Sequence, residues 1–239
     1  MIFINQTFDF IKDMASETKT KILDAAEELF ADRGIDGVSI RSIISLAGVN
    51  LGAIHYHFGS KESLIKEVFH RRIGEVNNER LRLLNDCLIN SRGNVPDLRT
   101  VLRAFIAPPL CLLLEPERGH VFIKVCGRAY GESSEHLRGM FISLFREVFE
   151  KFSLAIFRAL PNIPEEEIIW RFHFVVGAMI HTMLHGQTLK QFCPDIKNSL
   201  NVEENIERLV QFSVSGLCGE LKDNQKVDGL GTALEEEFI

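Results

Sequence analysis

Apolar residues in this chain recur at intervals of three and four, and no segment sustains alternation at two. A helix turns once every 3.6 residues or so, so that spacing gathers apolar side chains into one stripe, whereas a half-buried strand needs alternation. The chain is therefore predicted to be all-α. Hydrophobic residues make up 46 % of its 239 residues, which is enough to cover such stripes with a core. Charged residues make up 25 %, an ordinary share for a folded domain.

Glycine and capping residues punctuate the pattern. Ile22, Leu23, Ala26, Leu29 and Phe30 line a first helix, which Gly34 stops. Ser39 caps a short second helix to about Ala47, and Gly48 breaks it. Asn50 caps a third, very short helix ending near Phe58. Gly59 interrupts again, and Ser60 caps a long fourth helix to about Asn90, a connector between an N-terminal head and a C-terminal body. A fifth helix is expected from near Pro96 until Pro108-Pro109 kinks or ends it. Further helices are expected over about 117–130, 134–160, 165–189 and 202–221. The expected division is a flexible extension 1–16, an N-terminal head 17–70, a body 71–221 and a flexible tail 222–239.

Several classes lose support. No apolar run reaches the roughly 20 residues needed to span a bilayer. The five cysteines include no CxxC and are widely spaced, which suits reduced thiols in a cytoplasm. The N-terminal stretch carries Asp9 and Asp13 and no basic region, unlike a secretory signal, and Met14 is a second candidate start. There is no G-x-S-x-G, no glycine-rich phosphate loop and no nucleophile–base pair placed by spacing, so no enzyme and no cofactor are expected. His181 and His185 share a helix face, with His173 two turns earlier. They read as half of a metal site, as interface or pocket histidines, or as plain core or surface residues. No acidic residue or cysteine nearby in sequence completes a ligand set, so no metal is expected. A metal-binding helical enzyme using His181 and His185 is the enzymatic alternative.

Residues 39–58, SIRSIISLAGVNLGAIHYHF, form a helix-turn-helix pattern. An ordinary three-helix bundle gives the same pattern. The net charge of −6 argues against a broad positive field, and residues 17–73 sum to zero. Any DNA contact must come from a few positioned groups. The third helix is the one to lie in the major groove. Gly52 and Ala53 are small enough for close approach to base edges. Asn50, His55 and Tyr56 offer polar groups at the rim, and Lys61 stands at the start of the next helix, where phosphate is welcome.

The same head resembles the DNA-binding domain of the TetR family of regulators. The matching pieces are Thr20-Lys21-Ile22-Leu23-Asp24-Ala25-Ala26, Leu29-Phe30-Ala31-Asp32-Arg33-Gly34 and Val38-Ser39-Ile40-Arg41-Ser42-Ile43. They continue through Ala47-Gly48-Val49-Asn50 and Tyr56-His57-Phe58-Gly59-Ser60-Lys61-Glu62-Ser63-Leu64. The resemblance implies that Arg41 and Asn50 to Tyr56 face DNA and that Lys61 holds phosphate. The expected DNA-binding set is Ser39, Arg41, Asn50, Leu51, Gly52, Ala53, His55, Tyr56 and Lys61. His55 departs from the family, which usually has an aromatic there.

The resemblance also implies a homodimeric, ligand-responsive repressor of double-stranded operator DNA, with an activator of the same fold as the alternative. The dimer would form through the last two long helices, where Gly177, Ala178, Ile180, Leu184, Ile206, Leu209, Val210, Ser213 and Leu217 offer small and apolar surfaces. Those faces can equally serve the monomer's own core. The body is similar to a TetR branch with fatty-acid-type effectors, through Gly127-Arg128-Ala129, Leu160-Pro161 and Trp170-Arg171-Phe172-His173-Phe174. A small hydrophobic or acyl-type effector is therefore expected, in a pocket lined by Phe105, Phe122, Cys126, Phe174, His181 and Met183. Arg128 either receives its carboxylate or pairs with a nearby Glu.

Overall fold

The computed structural model of the chain describes residues 2–115, 119, 121, 123, 124, 126, 127, 135–195 and 201–220, of which 2–15, 135–138, 141 and 187 are described by backbone alone. Among the described residues every regular element is helical.

α1 spans Ile2–Arg33. No glycine or proline interrupts it before Gly34, so residues 2–16, expected as a flexible extension, stand within the first helix. α2 (Ile40–Ala47) and α3 (Leu51–His57) follow, then α4 (Lys61–Asn90). These three lie where the caps put them. Ser39, Asn50 and Ser60 each accept a backbone N–H from the residue three further on, at 3.1, 3.0 and 3.1 Å. Gly48 (φ 65°) and Gly59 (φ 74°) adopt the left-handed turn that only glycine enters freely.

α5 is Leu98–Cys111, starting two residues after Pro96. It starts one residue after Asp97, whose carboxylate accepts from the Thr100 N–H at 2.9 Å and its hydroxyl at 2.6 Å. It also continues through Pro108 and Pro109, with Arg80 supplying a donor to the helix from outside. Gly119, Val121, Ile123, Lys124, Cys126 and Gly127 are helical, within the expected sixth helix. α6 is Glu135–Ala159 and α7 is Glu165–His185. The expected helix to Leu189 breaks at Gly186, where a 3-10 turn (Gly186–Thr188) leads into the short α8 (Leu189–Phe192). α9 is Val202–Cys218.

Two apolar cores result. The head core joins Ile22, Phe30, Ile43, Ile54, Leu64 and Phe69, and it reaches Leu112 and Ile123. The body core joins α4 from Leu84 onward with α5, α6, α7 and α9. Leu113 and Met183 pack against both. Ions tie the head along α4 as well: Arg71 pairs with Asp24 at 2.8 Å and with buried Glu27, and Arg72 lies 3.7 Å from Glu27, Glu75 and Glu115.

Candidate nucleic-acid interface

α3 has seven residues, too few to be stable as an isolated helix in water. Its anchors hold it. Ile54 is 1 % exposed, Phe58 is buried, and both belong to the head core, with Ile43 of α2 beside them. Burying Ile54 and Phe58 inward turns the rest of α3 outward. Leu51, Gly52, His55 and Tyr56 are exposed, and Tyr56 is 80 % exposed. The Tyr56 ring meets His57 edge-on at 4.9 Å and is otherwise open to water. Leu46, near the end of α2, is also exposed.

The expected set divides in the structure. Arg41, Asn50, Leu51, Gly52, His55 and Tyr56 are each exposed. Ser39 is committed to capping, with its hydroxyl bonded to the Ser42 N–H and the Ser42 hydroxyl returned to the Ser39 N–H at 3.2 Å. Ala53 is half-buried against the head core. The Asn50 side chain caps α3, and a Cβ on Gly52 would stand 3.2 Å from its oxygen. The His55 Nδ1 lies 3.3 Å from the Gly59 carbonyl, which holds the ring against the following turn. Lys61 donates to the Ile35 carbonyl at 2.9 Å, so its ammonium braces the α1–α2 loop with one proton and keeps two for other acceptors.

The zero charge sum conceals an asymmetry. Lys19, Lys21, Arg33, Arg71 and Arg72 are paired with carboxylates. Among the described residues Arg41, Lys61 and Lys66 have no acidic partner, and Arg41 and Lys61 open the helices on either side of α3.

In the body, Phe105 is buried edge-on to Phe152 and Phe172, at ring-centroid distances of 5.1 and 4.8 Å. Met183 is half-buried between the two cores. Cys126 is half-buried, and burial pushes its thiol up. Phe174 and His181 stand on the exposed side of α7, so they do not share an interior with Phe105. Phe122 and Arg128 lie outside the described residues. The His181 and His185 rings lie 5.2 Å apart and tilted at 43°, and no group of three metal-ligating side chains occurs among the described residues. Also among the described residues, no helix is long and apolar enough to cross a membrane.

The proposed dimer faces also need correcting. Ile206, Leu209, Val210, Ser213 and Leu217 are buried in the monomer's own core. The outward apolar residues are Ile169, Trp170 and Phe174 on α7 and Phe212 on α9.

Residues 22–68 match the family model "Bacterial regulatory proteins, tetR family", and residues 103–216 match "Tetracyclin repressor-like, C-terminal domain". The HTH-type transcriptional repressor KstR2 of Rhodococcus jostii (strain RHA1) is 42 % identical over 53 residues, 22 % of this chain and 26 % of that protein. The HTH-type transcriptional regulator AcrR of Shigella flexneri is 39 % identical over 71 residues, 28 % of this chain and 33 % of that protein. The chain thus matches only about a quarter to a third of these relatives' lengths. Solved structures share the fold over most of the chain. The fatty acid degradation regulator FadR from Bacillus halodurans gives a TM-score of 0.64 at 16 % identity, over 84 % of this chain and 96 % of that one. FadR from Bacillus subtilis, in complex with stearoyl-CoA, gives 0.63 at 18 %, over 82 % and 98 %. With the helix-turn-helix head and the helical body both matched in order, the chain belongs to the TetR family of transcriptional regulators.

Proposed function

We propose that this protein is a cytoplasmic, homodimeric repressor that binds double-stranded operator DNA through α3 and leaves it when a small hydrophobic or acyl-type effector enters the body. One observation carries the reading: α3 is pinned by Ile54 and Phe58 and offers Leu51, Gly52, His55 and Tyr56 to solvent, between Arg41 and Lys61. A short rigid helix with small and polar outward groups suits the major groove, and two copies related by a twofold axis would read half-sites about 34–36 Å apart. Trp170, Phe174 and Phe212 support the dimer as an unpartnered apolar face on α7 and α9. The stearoyl-CoA bound by the B. subtilis FadR supports an acyl-type effector.

The experiment is selection of genomic fragments by purified protein at low salt, followed by footprinting. A protected palindrome with half-sites one helical turn apart is the expected result. Failure to retain any fragment removes the reading.

A further inference from the structure

Among the described residues Arg80 is a positive charge buried without a negative partner. It lies on α4, is 2 % exposed, and has no carboxylate within 4.0 Å among the described residues. Its Nε donates to the Phe105 carbonyl at 2.8 Å, its Nη1 to the Asn77 Oδ1 at 3.3 Å, and its Nη2 points at the Met179 thioether at 3.4 Å. The guanidinium lies 4.2 Å above the Phe105 ring. Of five N–H groups, three are used, and one of those three meets only sulfur, a weak acceptor.

A buried charge is costly unless paired, so its presence calls for a reason. The bond to Phe105 is not sufficient, because one neutral N–H would serve. Desolvation pushes the guanidinium down to about 9, which leaves it protonated at neutral pH. The apolar groups in contact with it are the Phe105 ring, itself packed edge-on to Phe152 and Phe172, and the Met179 side chain. Met179 is unbranched and adaptable, the kind of side chain that yields to a ligand. Four residues along α7, Met183 bridges the body core and the head core.

We infer that Arg80 docks a compact carboxylate carried on an apolar tail, an aliphatic or aryl-alkanoic acid. The acid head replaces the Met179 sulfur and accepts Nη1–H and Nη2–H together, the bidentate geometry that guanidinium favours. The tail follows Met183 toward the head core. This assignment rests on the body being the effector-binding part of the regulator proposed above. It also places the ligand on the lever: Arg80 and Asn77 are on α4, whose first turns build the head core, and the Asn77 amide holds the Leu144 carbonyl of α6 at 2.8 Å.

The test uses full-length protein without DNA. Straight-chain acids from butyrate to palmitate and phenyl-alkanoic acids are titrated calorimetrically, each beside its primary alcohol, its amide and its coenzyme A thioester. At least one acid should bind and raise Tm, with its neutral analogues at least about tenfold weaker, the loss typical of a missing charged hydrogen-bond partner. Arg80→Met should erase that preference. Met179→Glu places a carboxyl carbon where the sulfur stands, so it should supply the missing anion in cis, raise Tm at neutral pH and abolish acid binding. Acids that bind no better than alcohols or thioesters, or a Met179→Glu protein with a lowered Tm, overturn the assignment. Release of DNA is measured separately. Acid preference that depends on Arg80 supports the site whether or not DNA is bound or released, so failure of the regulatory reading is seen apart from failure of the site.

Discussion

The Arg80 Nε–H lies 2.8 Å from the Phe105 carbonyl, and that carbonyl is the one Pro109 leaves without a helical partner. In an α-helix the Phe105 oxygen accepts from the N–H four residues on, and proline has none. A donor from α4 thus completes a bond that α5 cannot make for itself. The two residues should be thermodynamically coupled. Pro109→Ala restores the local donor, so Arg80→Met should be better tolerated in that background than in the wild type by about 1 kcal/mol, the net value of a typical hydrogen bond. The cost of burying the charge cancels in the comparison. Urea unfolding of the four proteins measures the coupling, and equal effects in both backgrounds would refute it.

The same pair shows where sequence reading stops. The bounds of α2, α3 and α4 were legible because each begins with Ser39, Asn50 or Ser60, whose side chain bonds three residues on, and because Gly48 and Gly59 occupy left-handed turns. Those signals are local. Pro108-Pro109 is a local signal for a break, but Arg80, 25 residues away, opposes it. Arg80 itself left a trace: Ile73, Asn77, Arg80, Leu84 and Cys87 follow helical spacing, and all five are buried. Two polar residues within an apolar stripe mark a buried polar cluster, a signal distinct from the spacing of aromatic residues. The faces of α7 and α9 were ambiguous for another reason. Spacing shows that a side is apolar, not whether it meets its own chain, and Ile206 and Phe212 went opposite ways.

Asp97 should give α5 a measurable acid dependence. The Thr100 hydroxyl and then the Thr100 N–H hold its carboxyl below the usual carboxylate range. A carboxyl depressed in the folded state contributes stability above its unfolded pKa and loses it as pH falls through the folded value. Asp97→Ala should therefore cost about 1 kcal/mol at neutral pH, as for other N-caps. The gap between variant and wild type should narrow below about pH 4. Urea unfolding at pH 7 and pH 3 reads both, and a gap that widens in acid would show that the charged cap is not the cause.

Tyr56 and Lys61 should separate affinity from stability. Tyr56 is 80 % exposed, so Tyr56→Ala should change stability by less than about 0.5 kcal/mol while weakening every operator. Lys61 also braces the Ile35 carbonyl at 2.9 Å, so Lys61→Ala should cost about 1 kcal/mol of stability. It should also lower the salt slope of DNA binding by about 0.9, the value of one phosphate contact. Fluorescence anisotropy across a salt series, beside thermal melts, measures each. An unchanged slope for Lys61→Ala would assign that lysine to the loop alone.

The outward face of α7 and α9 makes the last prediction. Trp170, Phe174 and Phe212 are 56, 63 and 65 % exposed, and the Trp170 and Phe174 rings lie 6.2 Å apart on one side of α7. Among the described residues they belong to neither apolar core, so a charge at Phe174 should leave the fold intact and act only on association. Phe174→Glu should sediment as a monomer with wild-type helix content, because a desolvated carboxylate would stand against its own twofold copy. Its DNA affinity should fall steeply, since two tethered half-site contacts become one. Ile206→Glu, at a buried position on α9, should instead unfold the body. A Phe174→Glu protein that remains a dimer would move the interface off this face, while leaving the role proposed for α3 untouched.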